Sequence, residues 1–282
     1  MSMSRCKTAV TAAAAAGLVL VGCAAPSALV AGTPVTSKTP MPVTATGVDP
    51  DPAPPEFVWP DDIPTRDELR IDVEGFQYGS PPYPGAAVMQ DRRVDGACTA
   101  GPLVQDKHGR QGFLGAGHCD KGPGAPVYVY SDQSATAETR IGSYRVEDPD
   151  LVTIDAAFLA LDVPPAADAT LLAGRWPVTG VLDDFDAMSV PIGTPICFDG
   201  AVSGVRCGES AGVAVGDTGP GWLATSIPVT DGDSGSPLFG VDSDGRAWIL
   251  GVVTDKDEDT GYAMARRADR ALRDLNLTLV TN

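Results

Sequence analysis

Only two histidines occur among 282 residues, and their settings differ. His108 lies in the polar stretch Lys107-His108-Gly109-Arg110, which reads as a hairpin tip. His118 lies in Leu114-Gly115-Ala116-Gly117-His118-Cys119, where an apolar run meets small residues and an adjacent Cys. A second reactive pattern is Thr230-Asp231-Gly232-Asp233-Ser234-Gly235-Ser236-Pro237-Leu238. Its glycines allow a tight turn that presents the Ser234 hydroxyl, with the N–H groups of Gly232 and Ser234 converging on one side. Paired donors of that kind stabilise an oxyanion during acyl transfer. The third pattern is Asp155, an acid inside the apolar run Val152 to Leu159. A carboxylate there needs a hydrogen-bond partner, because burying it unpaired is costly. An imidazole N–H suits it, and the carboxylate then selects the tautomer whose other nitrogen accepts the serine proton. Taken singly, a lone His is more often structural and Gly-Asp-Ser-Gly is more often only a turn. Together, in the chain order His, Asp, Ser, they point to nucleophilic acyl transfer.

These residues need a scaffold, and the sequence predicts an all-β one. Short apolar or alternating runs recur between turn signals from about Tyr83: Ala86 to Gln90, Gln111 to Leu114, Pro126 to Tyr130, Ile154 to Leu161, Trp222 to Ile227 and Ala247 to Val253. Such spacing reads as a sandwich or barrel, and 32 Gly, 25 Pro and 6% aromatics agree with many turns. Asp242-Ser243-Asp244-Gly245 is a second hairpin tip, and Val163 to Pro177 reads as a connection between lobes. One helix is expected near the end, where Ala265, Ala268, Leu272 and Leu275 recur at helical spacing. Arg266, Arg267, Arg270 and Arg273 would form its solvated face.

The N-terminal portion has a different character. Arg5 and Lys7 precede an apolar run from Thr8 to Val21, too short for a membrane span and fitting a secretory signal over residues 1–22. Leu20-Val21-Gly22-Cys23 resembles the bacterial lipobox, which implies lipidation of Cys23; an ordinary signal peptide cut near Ala31 is the alternative. Ten of the 25 prolines fall between Ala24 and Pro64, so residues 23–82 read as an extended tether or a removable pro-segment. The folded domain is placed at 83–282. The expected location is outside the cytoplasm, anchored to the bacterial membrane through lipid at Cys23, or secreted. The net charge is −17, and losing Arg5 and Lys7 with the leader makes it −19, which argues against nucleic acid as a partner. Cys98, Cys119, Cys197 and Cys207 remain after the leader, an even number that suggests disulfides. They allow three connectivities, and their spacing favours local pairs. A metal site is disfavoured by the lack of C-x-x-C and the scarcity of His, and no cofactor is expected. An EF-hand reading of Asp255-Lys256-Asp257-Glu258-Asp259 fails because Gly261 stands at loop position seven.

From about Tyr83 to Leu279 the chain resembles the trypsin-like, chymotrypsin-fold serine peptidases, in the short bacterial form typified by streptogrisins and alpha-lytic protease. The resemblance is carried by Ala116-Gly117-His118-Cys119, by Asp155 in its apolar strand, and by Gly232-Asp233-Ser234-Gly235. It implies two six-stranded antiparallel β-barrels with a short C-terminal helix and the active site in the cleft between barrels. It implies a triad of His118, Asp155 and Ser234, an oxyanion hole from Gly232 and Ser234, a histidine-loop disulfide between Cys98 and Cys119, and a second bridge between Cys197 and Cys207. Protein or peptide substrates, a monomeric state and no metal follow from the same resemblance.

The departures bear on specificity. Ser236 replaces the usual Gly after the nucleophile motif, and Thr254-Asp255-Lys256 stands where a Ser-x-Gly strand usually binds substrate. Lys256 would narrow or charge the primary pocket, and Pro228 stands where a pocket-floor Asp selects basic side chains. Arg93-Val94-Asp95-Gly96 lies too close to Cys98 to be an activation cleavage. Asp233 then needs a partner other than a freed ammonium; where a buried Arg is expected the chain reads Phe198-Asp199, leaving Arg206 as the nearest candidate. Two functions follow: a lipid-anchored serine endopeptidase, or a catalytically idle peptidase-like domain that binds envelope or partner proteins.

Overall fold

The computed structural model describes residues 54–90, 96–122, 124–145, 155–216 and 219–282. The signal segment, Cys23 and Arg93 to Asp95 lie outside the described residues. The first half of the chain supplies β1 (Ala87–Val88), β2 (Cys98–Thr99), β3 (Leu103–Asp106), β4 (Gln111–Ala116), β5 (Pro126–Tyr130), β6 (Glu138–Arg145) and β7 (Ala156–Leu161). The second half supplies β8 (Leu171–Leu172), β9 (Trp176–Val181), α1 (Asp184–Ser189), β10 (Pro195–Gly200), β11 (Gly204–Gly216), β12 (Gly219–Pro228), β13 (Pro237–Val241), β14 (Ala247–Lys256), β15 (Tyr262–Arg267), α2 (Ala268–Asp274) and β16 (Leu277–Leu279).

The strands form two six-stranded antiparallel systems. One is ordered β16-β3-β4-β7-β6-β5, with the β1–β2 ladder joined to β5 through the Met89–Tyr128 bridge. Val88, Leu103, Phe113, Val129, Ile141 and Leu159 come from strands at both ends of this system yet share one core cluster, so the sheet wraps around it. Alternation builds that core: in β5, Val127 and Val129 are buried while Pro126 and Tyr128 are half-buried. The other system runs β13-β10-β11-β12-β15-β14, and an additional β13–β14 pairing closes it into a ring. Phe198, Ile227, Leu238, Leu250 and Val253 pack inside it. β9 joins β14 in parallel and carries β8, so the end of the Val163 to Pro177 stretch, read from sequence as a plain connection, contains the strand Leu171–Leu172 and the start of Trp176–Val181.

Two expectations are corrected. The C-terminal helix begins at Ala268, because Ala265, Arg266 and Arg267 belong to β15, and those two arginines are buried rather than solvated. Arg266 stacks over Trp222 with its guanidinium carbon 3.5 Å from the ring centroid, and Arg267 pairs with Asp184 at 3.1 Å. The expectation of an extended tether through residue 82 also does not hold for residues 54–82. Phe57 is buried against Leu238 and Leu250 in the second core, Val58 N–H bonds Val241 O at 2.9 Å, and Ile71 bridges Gln77. Side-chain hydrogen bonds to distant backbone also hold this strap, Arg66 Nη1 to Val202 O at 2.6 Å among them. Among the described residues no helix is long and apolar enough to cross a membrane.

Candidate active site

β4 ends in the 3-10 turn Gly117–Cys119, which carries His118. The Cys98–Cys119 disulfide ties this turn to β2. Asp155 directly precedes β7, which pairs with β4 through Ala116 and Ala156, and this register brings the acid beside the His118 turn. Asp155 Oδ1 accepts the His118 backbone N–H at 2.9 Å, and Oδ2 faces His118 Nδ1 at 3.1 Å. Two contacts from one carboxylate fix both the position and the ring plane of the imidazole. The Asp155 backbone has φ +39°, a left-handed value uncommon outside glycine, and such strain persists where surrounding contacts hold it.

Ser234 sits in the turn between β12 and β13. Gly232 and Gly235 have φ of +104° and +99°, and a Cβ on Gly235 would lie 2.2 Å from Thr99 O, so the turn requires glycine there. β2 clasps the turn: Thr99 N–H donates to Ser234 O at 2.7 Å and Thr99 Oγ1 donates to Gly232 O at 2.9 Å. The Gly235 N–H reaches Val253 O at 2.7 Å and Val253 N–H reaches Ser236 O at 2.9 Å. Ser236, where the resemblance has Gly, is buried and turns its hydroxyl onto Asp233 O at 2.5 Å. Among the described residues neither the Gly232 nor the Ser234 N–H has an acceptor, so both donors remain available.

His118, Asp155 and Ser234 line one cavity of about 330 Å³ with Val229, Thr230, Asp231, Val253, Thr254, Asp255 and Lys256. The His118 side chain is 42% exposed, open to an incoming reactant. No hydrogen bond joins His118 to Ser234 among the described residues, and such contacts commonly tighten only when substrate binds. Lys256 Nζ donates to Asp231 Oδ1 at 2.8 Å, and that hydrogen bond raises the ammonium pKa. Thr254, another lining residue, keeps its Oγ1 buried without a hydrogen-bond partner among the described residues.

The Asp233 carboxylate is fully buried and its partners are not those expected from sequence. Oδ1 accepts from Val202 N at 3.1 Å and Ser203 N at 2.9 Å; Oδ2 accepts from Ser203 Oγ at 2.5 Å and Thr230 N at 3.0 Å. Arg206 is exposed on β11 and plays no part. The Phe198-Asp199 position holds a second buried acid. Asp199 accepts from Gln77 Nε2 at 2.7 Å and Ala173 N at 3.1 Å, and desolvation, opposed by those two donors, raises its pKa to about 7. Sequence reasoning missed Gln77, Thr99 and Ser203. Asp199 carried the signal that exposed Asp155, an acid in an apolar strand.

Cys197 and Cys207 are bonded and face each other in the β10–β11 register, away from the cavity lining. His108 also lies elsewhere: its hairpin tip folds on Asp106 Oδ1, which accepts His108 N–H at 2.8 Å. Asp257 spends its carboxylate on the N–H groups of Asp259 and Thr260 and on the Thr260 hydroxyl. The cluster of Cys98, His118 and Cys119 is no metal centre, because both thiols are in the disulfide.

No protein-family model matches the chain. No curated protein matches it. Solved structures do. A glutamic acid-specific serine protease, described as using a novel histidine triad in substrate binding, is 19% identical; the match covers 70% of this chain and all of that one, with a TM-score of 0.51. The Nocardiopsis protease is 21% identical over 70% of this chain and 97% of its own, TM-score 0.49. The Cellulomonas bogoriensis chymotrypsin is 22% identical over 71% and 98%, TM-score 0.47. At these identities a likeness speaks for architecture alone, and with the closed second ring and the C-terminal helix the architecture is the chymotrypsin-like fold.

Proposed function

We propose that this protein is a serine endopeptidase working through an acyl-enzyme. The observation that carries the reading is the double hold of Asp155 on His118 inside the cavity that also contains Ser234. With Nδ1–H directed at Asp155, His118 Nε2 is the basic nitrogen. It takes the Ser234 proton as Oγ bonds to the scissile carbonyl carbon, and the carbonyl electron pair moves onto oxygen. Gly232 and Ser234 N–H groups receive that oxyanion. Collapse breaks the C–N bond, and the amine leaves with the proton returned by His118. Water, deprotonated by His118, then cleaves the ester and restores Ser234. No metal or cofactor enters these steps.

Protein or peptide chains are the substrates. The structural neighbour that is specific for glutamic acid is described as binding substrate with a histidine triad. This chain has two histidines in all, so it cannot build such a device, and Lys256 with Asp231 takes over the role of shaping the pocket.

Residues 1–22 serve as a lipoprotein signal, Cys23 as the lipid-bearing N-terminus and the residues from 24 to about 53 as the tether. Two disulfides suit that oxidising location. Changing Cys23 to Ser is expected to release the protein from the membrane fraction or to block its processing. A wholly soluble native protein that starts far downstream would favour an ordinary signal peptide.

The decisive experiment is labelling by an active-site fluorophosphonate. The wild type should label and cleave peptides; Ser234→Ala should do neither while keeping its fold. An unlabelled, well-folded wild type favours the idle, partner-binding domain, for which the Lys256–Asp231 pair across the candidate pocket is the motivating feature.

A further inference from the structure

The turn from Gly200 to Ser203 has two chemically distinct sides. Its carbonyls are held by the N-terminal strap: Gly200 O accepts from Gln77 Nε2 at 3.0 Å, Ala201 O from Gln77 N at 2.7 Å, and Val202 O from Arg66 Nη1 at 2.6 Å. Its N–H groups serve the nucleophile region. Ala201 N donates to Thr99 Oγ1 at 2.9 Å, and that hydroxyl donates on to Gly232 O. Val202 N, Ser203 N and Ser203 Oγ all donate to the Asp233 carboxylate. Asp233 lies between Gly232 and Ser234, the two oxyanion donors. A Cβ on Gly200 would sit 2.3 Å from Asp233 Oδ1, so the turn and the carboxylate are in direct contact.

The strap is tied within itself and to its surroundings. Arg66 Nη2 donates to Gly75 O at 2.6 Å, Ala87 N–H reaches Gln77 O at 2.8 Å, and Gln77 is almost wholly buried with Nε2 also on Asp199 Oδ1. Strap donors therefore meet every carbonyl from Gly200 to Val202, two from the buried Gln77 and one from the exposed Arg66. An oxyanion hole works only when its donors are fixed before charge develops, and a small displacement there costs rate rather than affinity.

We propose that Gln77 is a positioning residue for the candidate active site: by clamping the 200–203 turn it holds Asp233, and through Asp233 keeps the Gly232 and Ser234 N–H groups aimed at the developing oxyanion. The strap is on this view a working part of the peptidase domain and not a removable pro-segment. The inference rests on the reading of Ser234 as nucleophile.

The test is Gln77→Leu in the full chain, which removes the side-chain donors and keeps the bulk. Well below its melting temperature, kcat for a peptide ester should fall roughly tenfold or more, since losing an oxyanion donor outright costs about 10²–10³. KM should stay within about twofold, and the final extent of fluorophosphonate labelling should match that of wild type, reached more slowly. Combined with Ser203→Ala, the loss in kcat should be less than the product of the single losses, because both act through Asp233. A wild-type kcat in Gln77→Leu, a loss explained wholly by fewer labelled molecules, or multiplicative effects with Ser203→Ala would each overturn the proposal. Should Gln77→Leu fail to fold, Arg66→Met frees the Val202 carbonyl, together with that of Gly75 within the strap, and leaves Gln77 in place. A lower kcat at unchanged KM then supports the proposal and an unchanged kcat overturns it. A wild type that does not label at all defeats the peptidase reading instead, so the two failures are distinct.

Discussion

Lys256 on β14 and Asp231 beside the Gly232–Gly235 turn form an ion pair, Nζ to Oδ1 2.8 Å, within the lining of the cavity that holds Ser234. The side chains are 51% and 91% exposed, so the pair adds little to stability and is screened by salt. Its consequence under the proposed function is spatial: a substrate side chain entering beside Ser234 would meet it. Lys256→Ala should leave the melting temperature nearly unchanged and broaden a peptide-library cleavage profile toward larger side chains. High salt should shift the wild-type profile in the same direction and leave that of the variant alone. An identical profile in Lys256→Ala would show that the pair guards nothing.

Asp155→Asn tests the orienting role. Asn tolerates the left-handed φ of +39°, so the backbone should survive. Its oxygen can still accept the His118 backbone N–H, but its amide N–H then faces Nδ1 and forces the proton onto Nε2. That nitrogen can no longer take the serine proton, and kcat should drop by about 10⁴ while the fold holds. Stopped-assay kinetics together with near-ultraviolet circular dichroism separate the two effects. A loss of only a few-fold would remove Asp155 from the mechanism.

The two disulfides should behave differently. Each closes a loop, and losing either removes on the order of 3 kcal/mol in the chain-entropy model. Cys98–Cys119 also joins the strand bearing Thr99 to the turn bearing His118, so a Cys98→Ala, Cys119→Ala double variant should lose activity as well as stability. Cys197 and Cys207 sit opposite each other in a ladder that runs from Pro195–Glu209 to Gly200–Gly204, so backbone pairing on both sides should hold the two strands together without the bond. Their double variant should melt earlier yet keep kcat at low temperature. Equal effects on kcat from both variants would contradict this division.

What the sequence revealed and concealed follows from the range of the signals. Asp155, His118 and Ser234 each announce themselves locally, by an acid in an apolar run or by glycines around a reactive side chain. Period-two runs such as Pro126 to Tyr130 became strands because alternation is also local. Helical spacing misled at Ala265 to Arg267, where a strand passes straight into α2 and three residues are too few to separate the two periods. Gln77 and Ser203 carry no local pattern. Gln77 reaches partners 122 and 123 residues away through a single amide, and a Pro-rich composition around it suggested a segment with nothing to pack. At Asp199 the expectation of a cation drew attention from the acid actually present.

That acid gives the last prediction. Asp199 is fully buried, and desolvation, opposed by Gln77 and the Ala173 N–H and aided by the nearby Asp233 charge, raises its pKa from 3.8 to about 7. Burial, and after it the Asp199 charge, raise the pKa of the neighbouring Tyr83, so that phenol stays neutral throughout the neutral range. Between pH 4 and 7 the folded state keeps the Asp199 proton while the unfolded chain has lost it. The folded state then binds more protons, so stability falls as pH rises through this window, and the cost is complete once the pH passes about 7. It amounts to at most about 4 kcal/mol, since each pKa unit is worth about 1.4 kcal/mol. Asp199→Asn removes the titration and retains an oxygen to accept from Gln77 Nε2. The difference in unfolding free energy between variant and wild type, from urea melts at pH 4 and pH 8, should therefore move in favour of the variant as pH rises. Taking the difference cancels the titrations common to both chains. A difference that stays constant from pH 4 to pH 8 would mean that Asp199 ionises in the folded protein at its ordinary value, and that Gln77 and the Ala173 N–H suffice to hold it charged.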